Sequence, residues 1–395
     1  MENKKPNMDN PFIYMDHAAT TFPRPSGVLD RMTARYRRMG CSPGRGGYDM
    51  AVEAGQYIHQ VRQRIAAWFG APDPDRVVFT SNATDALNLA ISGMTRPGDH
   101  VVSTTLEHNS VLRPLYHLRQ SGRIDYTLVE FDSRGIVTPE AIARAIRDHT
   151  RLVVINHASN VLGTVQPIAG IGQICRNRGI PLVIDTAQSA GFIPIDMESW
   201  HVSALAFTGH KALLGPTGTG GLVTLPDVRI SPTRFGGTGV ESLRLDQPEA
   251  FPHRLETGTL NLLGIIGLDE GLIFLETSGF RKTLQRKAAL ASQLRQGLAA
   301  IGGVTVYGTA PGPGHVPLVT CNIDGIHPSD AGMILDGDYG IAVRTGLHCA
   351  PLVHEAIGTS PGGAVRFSLG WNTTQKEVEQ SIEAVKEMVS ETSLS

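Results

Sequence analysis

Short apolar runs recur along the middle of the chain, and several of them contain almost no polar residue. Strands that are buried on both faces in a mostly parallel sheet have this pattern. The predicted strands cover residues 76–80, 100–104, 152–156, 181–185, 205–208 and 221–225. Segments with helical periodicity separate them, for example residues 83–92, 139–147 and 168–178. Alternation of this kind predicts βαβ units and an open α/β sheet flanked by helices.

The pattern changes after about residue 260. A long helical stretch at residues 263–298 is followed by short strands and a last helix. Residues 234–260 are rich in Gly, Pro and Thr, which predicts an irregular excursion rather than a linker. We expect a large domain at residues 20–258 and a smaller α+β domain built from residues 1–19 and 259–395.

Polar residues gather directly after the predicted strands. They form clusters at residues 81–84, 107–109, 159–160, 185–188 and 208–211. In open α/β sheets, ligands bind outside the carboxyl ends of the strands. We therefore expect these clusters to converge on one crevice.

Composition narrows the class of protein. The chain of 395 residues carries 35 Lys and Arg against 37 Asp and Glu, so its net charge of -2 gives no reason to expect a nucleic-acid binder. The four cysteines form no CxxC pair and no zinc-finger spacing, which favours a reducing compartment. No apolar run reaches the ~18 residues of a membrane span, and no hydrophobic signal core follows Met1. We expect a cytoplasmic protein that does not bind membranes.

Two charged residues suggest the chemistry. Lys211 follows a predicted strand and precedes the glycine-rich residues 215–221, and a buried lysine in such a place can form a Schiff base with a carbonyl compound. Asp185 ends another strand, where it either caps a helix or pairs with a cation such as a pyridinium nitrogen. Each residue alone also fits an ordinary structural role, but the ordered pair is more specific. The glycine-rich run has neither a dinucleotide-binding nor a P-loop pattern.

The chain resembles the class V aminotransferases, which are fold-type I pyridoxal-phosphate enzymes, and within them the type II cysteine desulfurases and selenocysteine lyases. The motifs of this resemblance run through nearly the whole chain, at residues 14–21, 159–164, 185–188, 208–211, 256–261, 344–350 and 366–369. The resemblance implies a mostly parallel, helix-flanked sheet in a large domain with a smaller α+β domain. It also implies a pyridoxal 5'-phosphate cofactor and a homodimer.

The resemblance also assigns roles around the cofactor. It implies that Lys211 forms the Schiff base and moves the proton at Cα, while Asp185 pairs with the pyridine nitrogen. His108 would stack on the ring and take part in catalysis, and Gln188 would bind the phenolic oxygen. The other implied cofactor-binding residues are Thr84, Asn160, Thr208, His210 and Thr259, the last across a dimer interface. Taken singly, such residues are equally at home as helix caps or turn residues.

Substrate residues follow from the same resemblance. Arg366 would bind the substrate carboxylate, for which a guanidinium is well shaped. Cys349 would attack the substrate sulfur, as the cysteine of an Arg-x-Gly-x-His-Cys-Ala segment does in type II desulfurases. The remaining implied substrate-binding residues are Asn160, Tyr48 and Arg344. We expect no metal site, although His348, Cys349 and His354 are close in sequence.

Two positions depart from the family pattern. Tyr48 stands where type II relatives commonly carry histidine, which leaves substrate preference open. Ala83 stands where many relatives have a phosphate-binding threonine, so a compensating donor is expected from Asn82 or from a backbone N–H.

The sequence thus predicts a pyridoxal-phosphate enzyme that converts L-cysteine to L-alanine and leaves a persulfide on Cys349, for transfer to a protein acceptor. Selenocysteine lyase on the same scaffold is the alternative, since a selenol needs less help from the thiol. A class V aminotransferase or other lyase would not need Cys349. A non-catalytic sulfur-relay or scaffold protein would not need Lys211, Asp185 and Arg366 intact.

Overall fold

The computed structural model describes residues 12–43, 46–309 and 314–392. Its strands are β1 (Ile13–Tyr14), β2 (Val77–Thr80), β3 (Asp99–Thr104), β4 (Ile124–Val129), β5 (Thr150–Asn156), β6 (Leu182–Asp185), β7 (Ala204–Thr208), β8 (Gly220–Thr224), β9 (Val304–Val306), β10 (Leu318–Ile323), β11 (Ile341–Ala342), β12 (Arg344–Gly346) and β13 (Ala364–Ser368). Its helices are α1 (Val28–Met39), α2 (Asp49–Phe69), α3 (Ala83–Met94), α4 (Asn109–Gln120), α5 (Pro139–Ala145), α6 (Ile168–Asn177), α7 (Leu262–Thr277), α8 (Phe280–Ala299), α9 (Pro328–Tyr339), α10 (Pro351–Ala356) and α11 (Gln375–Thr392). None of these helices is long and apolar enough to cross a membrane.

The largest sheet has seven strands in the order β2-β8-β7-β6-β5-β3-β4. Strands β3 to β7 pair in parallel, whereas β8 runs antiparallel to both β7 and β2. All six predicted strands are present, with ends that differ by up to two residues. The predicted fold class, a mostly parallel α/β sheet flanked by helices, is confirmed.

The register of the parallel strands aligns their carboxyl ends. Asn156 of β5 pairs with Asp185 of β6, and Asp185 pairs with Ala206 of β7. The chain leaves β7 two residues later, at Thr208. The polar clusters that follow these strands therefore lie along one edge of the sheet, as the sequence predicts.

A second sheet has the order β12-β13-β10-β9 and is antiparallel. Its apolar side chains form a separate core with those of α8, α9 and α11. Strand β1 pairs in parallel with β11, so Ile13 and Tyr14 join this second unit near the start of the chain. Residues 1–11 and 393–395, which the sequence also assigns to the smaller domain, lie outside the described residues.

The helical stretch predicted at residues 263–298 is two helices, α7 and α8, separated by Gly279 at φ 73°. Helix α7 packs its apolar residues into the core of the large sheet, although the sequence suggests a boundary at residue 258. Buried Glu270 of this helix is bound by Arg31 and Arg35 of α1. The exact domain boundary stays a prediction.

Candidate active site

A cavity of about 420 Å³ opens at the carboxyl edge of the large sheet. Its wall combines residues that follow the strands with residues of the second unit, which lie far apart in sequence. The structure brings together eleven of the predicted site residues here: Thr84, His108, Asn160, Asp185, Gln188, Thr208, His210, Lys211, Arg344, Cys349 and Arg366. Two predicted residues, Tyr48 and Thr259, are exposed and lie outside the residues that line this cavity.

Asp185 at the end of β6 and Lys211, three residues after the end of β7, line the same cavity. Burial lowers the pKa of Lys211 to about 8, although the nearby Asp185 carboxylate acts in the opposite direction. Burial also raises the pKa of Asp185, even though its Oδ1 accepts a hydrogen bond from Ala187 N at 2.8 Å. Both shifts have the same cause, since a low-dielectric site disfavours either charge. The amine can therefore gain or lose a proton near neutral pH.

His108 is held in one orientation by the first turn of α4. Its Nδ1 accepts a hydrogen bond from Ser110 N at 3.1 Å and lies 2.6 Å from Ser110 Oγ. Burial, with the nearby positive charges led by Lys211, lowers the pKa of His108 to about 4. The neutral ring therefore carries its proton on Nε2. Ser110 was not predicted as a site residue, although a residue two positions after a helix cap is a regular partner of the cap.

The N-terminus of α3 forms part of the cavity wall, which Asn82, Ala83 and Thr84 line. Asn82 caps the helix, because its Oδ1 accepts a hydrogen bond from Asp85 N at 2.9 Å. The backbone N–H groups of a first helical turn have no partner within the helix, and they favour anions such as phosphate. These N–H groups suit the phosphate donor that the sequence expects in place of a threonine at position 83.

Asn160 connects the predicted cofactor-binding residues to the second unit. Its Nδ2 donates to the backbone oxygen of His348 at 2.6 Å, and its backbone oxygen accepts from Arg366 Nη1 at 3.0 Å. Its Oδ1 and Arg366 Nε are both buried without a hydrogen-bond partner among the described residues. Buried polar atoms are nearly always satisfied, so these two orphans indicate a place that a polar ligand fills.

Arg366 and Arg344 share a carboxylate that the sequence analysis did not assign. Asp16 Oδ1 lies 3.2 Å from Arg366 Nη2, and Asp16 Oδ2 lies 2.8 Å from Arg344 Nη2. Burial lowers the pKa of Arg366, and the Asp16 carboxylate opposes that shift. Asp16 belongs to the first motif of the family resemblance, which is the only sequence signal that points to it.

Two further predicted cofactor residues have partners within the chain. Gln188 Nε2 donates to the backbone oxygen of Ala18 at 3.0 Å. His210 Nδ1 lies 3.1 Å from Thr20 Oγ1, and burial lowers the pKa of this ring to about 4. Both contacts link residues 18–20 to the edge of the large sheet. Their roles toward a cofactor stay predictions.

Cys349 is the exposed member of the four cysteines, all of which are free. Both Cys349 and the preceding His348 adopt left-handed backbone conformations, at φ 56° and 50°. The Cys349 backbone oxygen accepts a hydrogen bond from Asn109 N at 2.7 Å, which ties the segment to the start of α4. Lys211 and Arg366 lie within electrostatic reach of Cys349, which opposes the burial that lowers the pKa of each. Among the described residues, no cluster of His, Cys, Asp or Glu could hold a metal ion.

Two curated proteins of similar sequence are described as probable cysteine desulfurases. A probable cysteine desulfurase of Methanothermobacter thermautotrophicus is 34% identical over 95% of this chain and 94% of its own length. A probable cysteine desulfurase of Halalkalibacterium halodurans is 32% identical over 93% of this chain and 90% of its own length.

Solved structures agree with the sequence relatives. The apo structure of a cysteine desulfurase from Thermococcus onnurineus NA1 has a TM-score of 0.90 and 32% identity, and the match covers 96% of this chain and 95% of that one. A cysteine desulfurase of Escherichia coli has a TM-score of 0.86 and 25% identity, with the same coverage. The class V aminotransferases depend on pyridoxal phosphate. Because their family model matches residues 13–380, the chain belongs to the aminotransferase class-V family.

Proposed function

We propose that this chain is a pyridoxal-phosphate-dependent cysteine desulfurase. It converts L-cysteine to L-alanine and retains the sulfur as a persulfide on Cys349. The observation that carries the proposal is the exposed Cys349 thiol on the wall of the cavity that also contains Lys211 and Arg366. The sequence relatives and structural neighbours named above are cysteine desulfurases.

The side chains of the cavity fit pyridoxal phosphate. Asp185 is a buried acid whose charge needs a cationic partner, and a protonated pyridine nitrogen is one. The N-terminus of α3 suits the phosphate, and Lys211 is the amine that would bind the aldehyde. When bound, the cofactor supplies an electron sink that acidifies the Cα–H of the amino acid.

The protein residues supply orientation and proton transfer. Arg366 binds the substrate α-carboxylate, with the unpartnered Nε as one donor. The Lys211 amine, whose pKa is about 8, accepts the proton from Cα and returns a proton to the product. The Cys349 thiolate then attacks the substrate sulfur. An S–S bond forms and the carbon–sulfur bond breaks, and the carbon keeps the electron pair and takes a proton to give the methyl group of alanine.

The decisive experiment measures alanine and persulfide in the purified, cofactor-loaded protein supplied with L-cysteine. We expect Cys349→Ala to lose persulfide and at least 90% of alanine formation, as an order-of-magnitude estimate for losing a covalent nucleophile. Cys41→Ala is the matched control, since Cys41 is a free cysteine outside the cavity, and it should retain activity. Full turnover of cysteine by Cys349→Ala would refute the mechanism.

The cofactor assignment has its own test. Borohydride reduction of the loaded protein should attach the cofactor to the peptide that contains Lys211, as read by mass spectrometry. Lys211→Arg keeps the charge but cannot form a Schiff base, so it should show no adduct. An adduct on another lysine would refute the assignment.

Selenocysteine lyase is not favoured, because the similar curated proteins are named cysteine desulfurases. Parallel assays with L-cysteine and L-selenocysteine compare the two substrates directly. If only selenocysteine yields alanine, the proposed substrate is wrong.

We further propose a homodimer in which Thr259 reaches the phosphate of the other subunit. Thr259 is exposed and follows an irregular segment whose Leu243 and Leu245 side chains are fully exposed. Sedimentation should give a dimer, and Thr259→Ala should weaken cofactor binding.

Three further proposals concern the substrate, the acceptor and the location. Tyr48 is proposed to influence substrate preference. A second protein is proposed to accept the sulfur from the persulfide and so complete the reaction. A cytoplasmic location suits a protein whose four cysteines are all free.

A further inference from the structure

Two histidines near Cys349 form a hydrogen-bonded pair. His348 Nδ1 lies 3.1 Å from His354 Nε2, and the rings are stacked with centroids 5.2 Å apart. The pair is extended at both ends. His354 Nδ1 lies 2.7 Å from Thr359 Oγ1, and His348 Nε2 lies 3.3 Å from the backbone oxygen of Arg344.

The backbone oxygen of Arg344, at one end of this series of hydrogen bonds, determines which nitrogen of each ring carries the proton. The Arg344 oxygen can only accept, so His348 carries its proton on Nε2 and its Nδ1 is an acceptor. His354 must then donate from Nε2, which leaves its Nδ1 to accept from the Thr359 hydroxyl. Burial is the main cause that lowers the pKa of His348 to about 3 and that of His354 to about 4. Both rings are therefore neutral at pH 7, and one pair of tautomers satisfies all three contacts.

This arrangement argues against the obvious role for His348. A histidine next to a reactive cysteine is the natural candidate for its proton acceptor. Both ring nitrogens of His348 are instead engaged, one with His354 and one with the Arg344 oxygen. The ring is therefore held in place and is not available to exchange a proton with the thiol.

The backbone explains why the segment needs to be held. His348 and Cys349 are not glycines, yet both have positive φ, which costs about 1–2 kcal/mol for each residue. Two hydrogen bonds to the backbone oxygens of these residues, from Asn109 N and Asn160 Nδ2, oppose relaxation. The ring of His348 also holds this segment through its contact with His354. His354 lies in α10 and is completely buried.

We propose that His354, oriented by Thr359, is a positioning residue that clamps His348 and thereby holds the Cys349 thiol at the cavity. The inference rests on the proposed function, because holding a thiol in place matters for its attack on sulfur. Neither His354 nor Thr359 lines the cavity, so both act through His348.

Thr359 offers a matched pair of variants. Thr359→Val keeps the shape of this buried side chain and removes the hydroxyl donor, whereas Thr359→Ser keeps the hydroxyl. The first readout is hydrogen exchange at the Asn109 amide of the cofactor-free protein, because its acceptor is the Cys349 oxygen. We expect Thr359→Val to accelerate this exchange about tenfold, the effect of losing one hydrogen bond. Thr359→Ser should stay within about twofold of the wild type on the same scale.

The second readout compares the change in kcat with the change in KM. In the loaded enzyme, kcat should fall about tenfold in Thr359→Val while KM and the dissociation constant of the cofactor change little. His354→Leu removes the donor to His348 itself and should act in the same direction, so it replaces Thr359→Val if that variant does not fold. Unchanged exchange at Asn109 and unchanged kcat in both variants would overturn the clamp. If the wild type forms no alanine, the proposed function fails, whereas the exchange comparison still decides the clamp.

Discussion

Asp16 Oδ1 lies 3.2 Å from Arg366 Nη2, at the guanidinium that is proposed to bind the substrate carboxylate. The other oxygen of Asp16 holds Arg344, so a single carboxylate balances two arginines. Arg366 is buried, and its Nη2 and Nη1 contact Asp16 and the Asn160 backbone oxygen, whereas its Nε has no partner among the described residues. Asp16 and Asn160 therefore hold the guanidinium in place while its Nε stays available for a ligand.

Replacing the Asp16 carboxylate tests how much it contributes to the free energy of unfolding. We expect Asp16→Asn to lower the free energy of unfolding by about 3 kcal/mol, because it leaves the buried charge of Arg366 without a counter-charge. Urea unfolding followed by circular dichroism measures the change. Glu53→Gln is the control, because it breaks the exposed ion pair of Glu53 with Arg38 and should cost less than ~1 kcal/mol. Equal losses in the two variants would show that Arg366 does not depend on Asp16.

Arg366 itself has a predicted effect on substrate binding. Arg366→Lys keeps the charge but removes the planar guanidinium, which contacts Asp16 and Asn160 and leaves its Nε free for a ligand. We expect KM for L-cysteine to rise about 10- to 100-fold, with a smaller change in kcat, since a lost charged hydrogen bond costs about 1.5–3 kcal/mol. Steady-state alanine formation gives both constants. Arg113→Lys at an exposed position of α4 is the control. A fall in kcat at unchanged KM would contradict this role.

The sequence was sufficient for the elements that are buried on both sides. Strands β5 and β6 have apolar centres, and their carboxyl ends at Asn156 and Asp185 lie where the sequence predicts them. Strand β4 was not predicted, because it lies at the sheet edge and five of its six residues are only partly buried or exposed. The break between α7 and α8 was missed because apolar and helix-forming residues continue on both sides of Gly279.

The same distinction applies to the site. Residues that end or follow strands, such as Asp185 and Lys211, could be placed at one edge of the sheet from the strand pattern alone. The role of Asp16 depends on β1, which pairs with a strand more than 300 residues away, and no local pattern contains that contact. The pair His348 and His354 is close in sequence, but its tautomers depend on the Arg344 oxygen and on Thr359.

Glu107 gives the stability of the fold a measurable pH dependence. Its Oε1 accepts hydrogen bonds from Thr104 Oγ1 at 2.6 Å and Asn156 N at 3.0 Å, and burial raises its pKa to about 8. The folded chain therefore binds this proton more tightly than the unfolded chain. Its stabilising effect is complete below about pH 4.5 and is lost as the pH rises through about 8.

Glu107→Gln should remove that dependence, because the amide keeps an acceptor oxygen and does not titrate. Between pH 5 and pH 8, the cofactor-free wild type should lose about 3 kcal/mol of unfolding free energy relative to the variant. Urea unfolding at the two pH values measures this difference. Glu140→Gln, at an exposed position at the start of α5, is the control. Parallel pH dependences of wild type and Glu107→Gln would show that the carboxyl group is ionised in the fold.

His157 should make the fold sensitive to acid. Its ring is buried against Trp200, with centroids 5.4 Å apart, and its Nδ1 has no partner among the described residues. Burial lowers the pKa of His157 from 6.5 to about 4. Between these two pH values the unfolded chain binds a proton on this ring and the folded chain does not. Stability therefore falls as the pH drops from about 6.5 towards 4.

The measurement compares unfolding free energies at pH 7 and pH 5 in wild type and His157→Phe. The phenylalanine keeps an aromatic ring against Trp200 and cannot titrate, so the variant should lose about 2 kcal/mol less than the wild type over this interval. Taking the difference between two pH values removes the constant effect of altered packing. His117→Phe is the control, because that ring is exposed to water in the folded and the unfolded chain. An equal loss in wild type and His157→Phe would mean that the buried ring takes up a proton without unfolding.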